Sequence, residues 1–83
     1  MSKYKTVVIT WVDSQIATLT WCNVDELPQK IATVNTVGYL IWETKDILTV
    51  AGSVSYKEDA VTVASSVINI PKCCIKKKKI ISF

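Results

Sequence analysis

Eighty-three residues, of which 49% are hydrophobic and 20% charged, suffice for one small domain with its own core and exclude a disordered chain. Much of the net charge of +3 comes from Lys76–Lys79, so it indicates a local basic patch and not the overall composition of a nucleic-acid-binding protein. No apolar run reaches the roughly 18 residues that a membrane-spanning helix requires.

Val, Ile and Thr recur throughout the chain, whereas Gly and Pro number two each. Branched side chains lose χ1 freedom in a helix and fit a pleated surface, so the composition favours an all-β fold. Strict alternation predicts the first strand over Tyr4–Val12, with Val7, Ile9 and Trp11 on one face. Asp13-Ser14-Gln15 should end this strand, because Asp and Ser bond to nearby backbone in turns.

Polar residues dominate the next segment. Thr18–Cys22 is predicted to resume a short extended piece that carries Trp21. Asn23–Leu27 indicates a single helical turn, with Asn23 as the N-cap and two acids near the positive end of its dipole. Pro28 should stop that turn.

A long second strand is predicted over Ile31–Glu43, with Gly38 at a bulge or a close backbone approach. Thr44-Lys45-Asp46 then predicts a hairpin leading into a third strand over Ile47–Tyr56.

Lys57-Glu58-Asp59 should reverse the chain into a fourth strand over Val61–Ile70, in which Ser65-Ser66 marks a kink. Pro71 lacks an N–H and stops the ladder. The last strand is predicted over Cys73–Ile81.

Five strands with a tight proline-containing step before the last one resemble a small five-stranded antiparallel SH3-like barrel. The stretch Ile70–Ile75 carries that resemblance, because a 3₁₀ turn separates the final two strands in such barrels. An open antiparallel sheet and an OB-like barrel are the alternatives. Residues 1–83 are expected to form a single domain with a lysine-rich C-terminal edge segment over 76–83.

Several short stretches, taken in order, resemble a family of short proteins encoded by bacteriophages. The stretches are Val8–Asp13, Trp21 with Asp25–Leu27, Thr36–Leu40, and Ile70–Lys72 with Cys74-Ile75. The resemblance implies an infected bacterial cytoplasm as the location and an accessory or counter-defence role, in which a small protein binds and neutralises something that belongs to the host.

Catalytic chemistry finds little support in this sequence. There is no histidine, which removes the usual general base and the commonest zinc ligand. Two glycines are too few for a phosphate-binding glycine loop. The three cysteines, Cys22, Cys73 and Cys74, match no metal or disulfide framework, and small buried hydrophobes are their expected role. We therefore predict a non-enzymatic protein without metal or cofactor.

The tryptophans have different expected roles. Trp11 lies within an alternating strand and should pack in the core, and Trp42 should seal the end of the barrel. Trp21 lies among polar turns, where core packing and exposure for stacking on a ligand are equally expected.

The leading functional hypothesis is sequestration of a small anionic ligand, for example a nucleotide second messenger. Trp21 or Tyr56 would stack on a base, Lys72 or the run Lys76, Lys77, Lys78 and Lys79 would meet phosphate, and Ser53 and Asp13 would add hydrogen bonds. The chief rival is a protein-binding module that inhibits a host factor through a strand edge. Single-stranded nucleic-acid binding is a third, less favoured hypothesis.

The lysine run also bears on assembly. Four successive lysines would point to both faces of a strand, so this strand must lie at a sheet edge or project. Ile75, Ile80, Ile81 and Phe83 flank the run, and we predict that a second copy of the chain covers this apolar end in a homo-oligomer. A reducing cytoplasm is the expected location, and no membrane is expected as a partner.

Overall fold

The computed structural model describes residues 4–15, 17–58 and 60–81, and the predicted roles of Asp59 in a turn and of Phe83 at an apolar end lie outside them. The elements are β1 (Thr6–Asp13), η1 (Val24–Glu26), β2 (Ala32–Glu43), β3 (Ile47–Lys57), β4 (Ala60–Pro71), η2 (Lys72–Cys74) and β5 (Ile75–Ile81), where η1 and η2 are single 3₁₀ turns. The all-β prediction and all five strands are confirmed. Among the described residues, no helix is long and apolar enough to span a membrane.

The five strands form one antiparallel sheet in the order β4-β3-β2-β1-β5. The sheet is open, with β4 and β5 at its two edges, so the alternative of an open sheet describes the architecture and a closed barrel does not. The predicted 3₁₀ step is present, because η2 joins β4 to β5 directly after Pro71. β5 is an edge strand, as the lysine run predicts.

The core lies on one face of this curved sheet. Its buried side chains are Val7, Ile9, Trp11, Leu48, Val50 and Ile70, with Val34, Leu40, Ile68 and Ile75 packed against them. The alternation predicted in β1 is confirmed, since alternate residues from Val7 to Trp11 are buried. Trp11 also donates its indole N–H to the Thr36 hydroxyl at 2.9 Å, which satisfies the polar atom of a buried ring.

Gly38 lies where the backbone of β2 closely approaches β3. A Cβ built on it would lie 2.5 Å from the Ala51 carbonyl oxygen and 2.7 Å from Val50 Cγ1, distances that no side chain tolerates. The close approach predicted at this glycine is therefore present. The bulge is instead at Leu40–Trp42, where the register of β2 against β3 shifts.

Beyond Ala51, β3 and β4 leave the body of the sheet as a two-stranded ribbon. The last β2–β3 pair toward the ribbon is Tyr39 with Ala51, whereas the β3–β4 pairs continue to Lys57 with Ala60. We call residues 52–66 the hairpin arm. The arm accounts for an elongated molecule of 59 × 24 × 22 Å, in which the core occupies one end.

Three local predictions need correction. Thr18–Cys22 forms no strand but passes through bends, because no neighbouring strand offers it a ladder. The helical turn is present as η1, yet the side chain of Asn23 makes no capping bond there, and its carbonyl accepts from Glu26 N–H instead. Trp42 is 66% exposed and lies outside the core, since the shifted register pairs it with Thr49 on the opposite face of the sheet.

Candidate functional site

The predicted ligand residues do not converge on one site. Lys72 directly follows Pro71, which pairs with Ile47 at one end of β3. Ser53 and Tyr56 lie six and nine residues further along β3, which corresponds to about 20 and 30 Å of extended strand. A nucleotide bound at Lys72 within one chain therefore cannot also touch the hairpin arm.

Lys72 takes part in a three-residue ionic contact that the sequence did not indicate. Its Nζ lies 2.7 Å from Glu43 Oε2, and Lys78 Nζ lies 3.1 Å from Glu43 Oε1. Hydrogen bonds from Lys72 and then from Lys78 hold the pKa of Glu43 below its usual value. We call Glu43, Lys72 and Lys78 the charged cluster. Each of its lysines already has a carboxylate as its partner, so the cluster is poorly suited to a phosphate.

The charged cluster lines a cavity of about 220 Å³ together with Leu48 and Ile75. A groove of about 120 Å³ lies on the hairpin arm, and its lining includes Ser53 and Ser65. Sites that hold small molecules usually enclose about 300–1,000 Å³. Both concavities are too small for a nucleotide.

Trp21 and its surroundings form the most exposed apolar surface of the described chain. Trp21 is fully exposed, Leu19 and Val24 are 88% and 84% exposed, and Ile31 is also largely open. We call residues 17–31 the tryptophan loop. Single exposed apolar residues are normal on a protein, but a concentration of large ones in a single loop indicates an interaction surface.

A hollow of about 450 Å³ in this loop is lined by Trp21, Cys22, Asn23 and Glu26. This hollow is open to solvent, because Trp21 at its border is fully exposed, and the Glu26 carboxylate there would repel a phosphate. The neighbouring Asp25 adds a second negative charge in η1. The hollow therefore matches a neutral or basic group rather than a nucleotide.

The lysines of β5 lie on both faces of the sheet. Lys78 stands opposite Ile9 on the core side, whereas Lys77 and Lys79 stand opposite Thr10 and Val8 on the other side of the sheet. We call that side the outer face. In the described part of the chain, Glu43 pairs with Lys78, and Lys76, Lys77 and Lys79 form no ion pair.

Asp13 ends β1, where its carboxylate accepts a hydrogen bond from Ser14 N–H at 2.8 Å, as expected of a turn residue. It also lies near η2, because its charge acts on Cys74. No contact joins it to Trp21 or Lys72 in the described residues.

The cysteines are free, as predicted, but they are not small buried hydrophobes: Cys22 and Cys73 are exposed and Cys74 is half-buried. The Sγ atoms of Cys73 and Cys74 lie 3.9 Å apart in η2. The hydrogen bond between these two thiols and partial burial favour the protonated form of Cys74 and raise its pKa, so less of this thiol is in the nucleophilic thiolate form at neutral pH.

Comparisons with models of protein families, with curated proteins and with solved structures found no match for this chain.

Proposed function

We propose that this protein is a non-catalytic binding protein whose ligand is another protein, contacted through the tryptophan loop. The observation that carries this proposal is the complete exposure of Trp21 in a loop with Leu19 and Val24. Tryptophan is enriched among the few interface residues that supply most of the binding free energy. Covering an apolar surface of this kind with a partner is favourable, because it removes the exposed side chains from water.

The chemistry of the loop describes the partner. Asp25 and Glu26 lie beside the exposed tryptophan, and Lys30 is the only basic residue between positions 17 and 31. A complementary surface has an apolar cleft for Trp21 and basic residues at its rim, because like charges across an interface are costly. The loop has no strand and only one 3₁₀ turn, so binding would order it further.

The setting of this interaction rests on the resemblance to short bacteriophage-encoded proteins. A bacterial host protein is then the expected partner, and inhibition of that host factor in the cytoplasm is the expected consequence. The absence of histidine from the sequence fits a role in binding rather than in acid–base catalysis.

A matched pair of tryptophan variants tests this proposal. The wild-type chain, Trp21→Ala and Trp42→Ala are each immobilised and exposed to a bacterial lysate, and the captured protein is then purified and titrated by calorimetry. Trp21→Ala should weaken binding at least about 30-fold, the effect of a residue that contributes about 2 kcal/mol. Trp42 is also exposed but lies on β2, so Trp42→Ala should retain the affinity. Equal affinity of Trp21→Ala and the wild type would refute the role of the loop.

Binding of a small anionic ligand is the second candidate function. The outer face is better suited to such a ligand than the charged cluster is. Lys77 and Lys79 lie two residues apart on one strand, about 7 Å. Beside them the Thr10 hydroxyl donates to Asn35 Oδ1 at 2.7 Å, which leaves the Asn35 NH₂ group as a donor. Two cations and an amide on one surface suit a phosphate-bearing ligand.

Pyrophosphate and ATP serve as probes for this second candidate. We expect Lys77→Gln/Lys79→Gln to weaken their binding at least tenfold in calorimetry, whereas Lys45→Gln/Lys57→Gln removes the same charge elsewhere and should have little effect. Equal losses in the two double variants would indicate attraction by net charge alone. A steep fall in affinity with salt for a single-stranded oligonucleotide would instead indicate nucleic-acid binding.

A further inference from the structure

The two edges of the sheet differ sharply in charge. The β5 edge carries four successive lysines, whereas the sequence of β4 over Ala60–Pro71 has no charged residue in 12 positions. An edge strand presents unpaired N–H and C=O groups, and natural proteins commonly block such an edge with lysine, proline or a bulge. Proline stands only at the last position of β4. β4 also has a register shift opposite Ser55 and Tyr56 and a positive φ at Ser66, which interrupt this edge locally. The β5 edge is thus protected against further strand pairing by charge, and the β4 edge is not protected by charge.

The hairpin arm also lacks the support that a strand ribbon needs. Among the described residues, β3 beyond Ala51 pairs with β4 alone. Val63 in the arm and Val67 just beyond it are 61% and 49% exposed, although both are apolar. A two-stranded hairpin is marginally stable in water, and three or more strands with a covered face are required for independent stability. The arm is therefore incomplete as a structural unit.

We infer that a second copy of this chain completes the arm, by antiparallel pairing of β4 with β4 around a two-fold axis perpendicular to the sheet. Two copies of an uncharged strand meet without repulsion. The lysine run of β5 is also far from the centre of the proposed contact. Ser65 is separated from Pro71 by six residues of extended chain, about 20 Å, and Lys76–Lys79 come after Pro71 in the chain. At physiological salt, charges separated by more than about 8 Å are largely screened.

The exposed side chains select the register. Centring the pair on Ser65 places Ser65 beside Ser65 of the partner subunit and Val63 beside Val67 of the partner subunit. Directly opposite residues of an antiparallel pair share one face, so the two exposed valines cover each other twice. The result is a continuous sheet of ten strands with a four-stranded centre formed by the two arms.

Sedimentation of the full chain is the first test. Its mass should rise from that of a monomer toward that of a dimer between about 10 μM and about 1 mM, the range expected for a weak contact. Val63→Lys places an unpaired ammonium in the contact and should raise the dissociation constant at least about tenfold. Val37→Lys is the matched control, because Val37 has a similar exposure of 59% but lies on the central strand β2. A monomer throughout the range, or an equal effect of the two variants, would overturn the inference.

Cross-linking tests the register even where Val63→Lys fails to fold. In a chain with Ser at positions 22, 73 and 74, Ser65→Cys should form a disulfide-linked dimer faster than Thr33→Cys, an exposed position on β2. Self-paired residues have Cα atoms about 4.5–5.5 Å apart, within the range that a disulfide spans. Faster cross-linking of Lys77→Cys than of Ser65→Cys would overturn the inference and place the contact at β5.

Discussion

Gly38→Ala tests whether the close approach of β2 to β3 requires glycine at this position. The new Cβ would lie 2.5 Å from a backbone oxygen of Ala51, which pairs with Tyr39 on one side and with Val67 on the other. Because Ala51 is paired with a strand on each side, its backbone cannot move away freely, and the strands must separate by several tenths of an ångström. Overpacking of this kind costs about 1–3 kcal/mol, and the reduced entropy of the unfolded chain offsets about 0.4–1 kcal/mol.

The expected net loss is about 1.3 kcal/mol, which for a domain of this size corresponds to a melting temperature about 5–10 °C lower. Urea denaturation followed by tryptophan fluorescence measures the change directly. Gly52→Ala is the matched control. Its Cβ would meet atoms of the exposed Ser66 alone, the nearest being Cβ at 3.1 Å, and we expect stability within about 0.5 kcal/mol of the wild type. Equal stabilities of Gly38→Ala and the wild type would refute the argument from close approach.

Two further predictions concern the charged cluster and η2. Because the pKa of Glu43 is lowered in the folded state, its ion pairs stabilise the protein above the unfolded pKa and cease to do so as the pH falls through the folded pKa. Glu43→Gln should therefore lower the urea midpoint slightly at pH 7, and this difference should shrink as the pH falls through the folded pKa of Glu43. An equal difference at pH 7 and at about pH 2 would contradict this. Iodoacetamide at pH 8 should alkylate Cys74 more slowly than the exposed Cys22, as measured by mass spectrometry of the peptides, because the pKa of Cys74 is raised. Equal rates would show that the contact with Cys73 does not influence the thiol.

The strands could be predicted from the sequence because alternation and turn residues are local signals. β2 begins at Ala32 and ends at Glu43, within one residue of the predicted bounds, and the hairpin at Thr44–Asp46 is present. Closure of the sheet was not predictable in the same way. Whether the sheet closes depends on whether the two edge strands meet and on the register shifts in the β2–β3 and β3–β4 pairs. Both features involve residues far apart in the chain, so the sequence of one segment does not predict them.

The candidate site shows the same limit more strongly. Glu43 and Lys78 lie 35 residues apart, so nothing in the sequence near Lys78 indicates that a carboxylate is its partner. Trp42 occupies a strand position that normally packs, but a bulge turns it outward. Ile75 was expected to need a second copy for cover, yet it packs against the core of its own chain. The covering of Ile80, which is 47% exposed, stays a prediction.

The lysine run at the β5 edge and the uncharged β4 edge together affect how copies of this chain can assemble. If both edges were open to pairing, β4 of one copy could add to β5 of the next, and such head-to-tail addition continues without limit into a fibre. Lys76–Lys79 oppose that addition, because pairing would surround their ammonium groups with a second sheet edge and dehydrate them. Pairing of β4 with itself uses up the open edge of both copies. If β4 pairs with itself as we infer, one charged edge and one self-complementary edge would restrict this sheet to two copies, and a chain whose β4 sequence has no charged residue would avoid open-ended assembly.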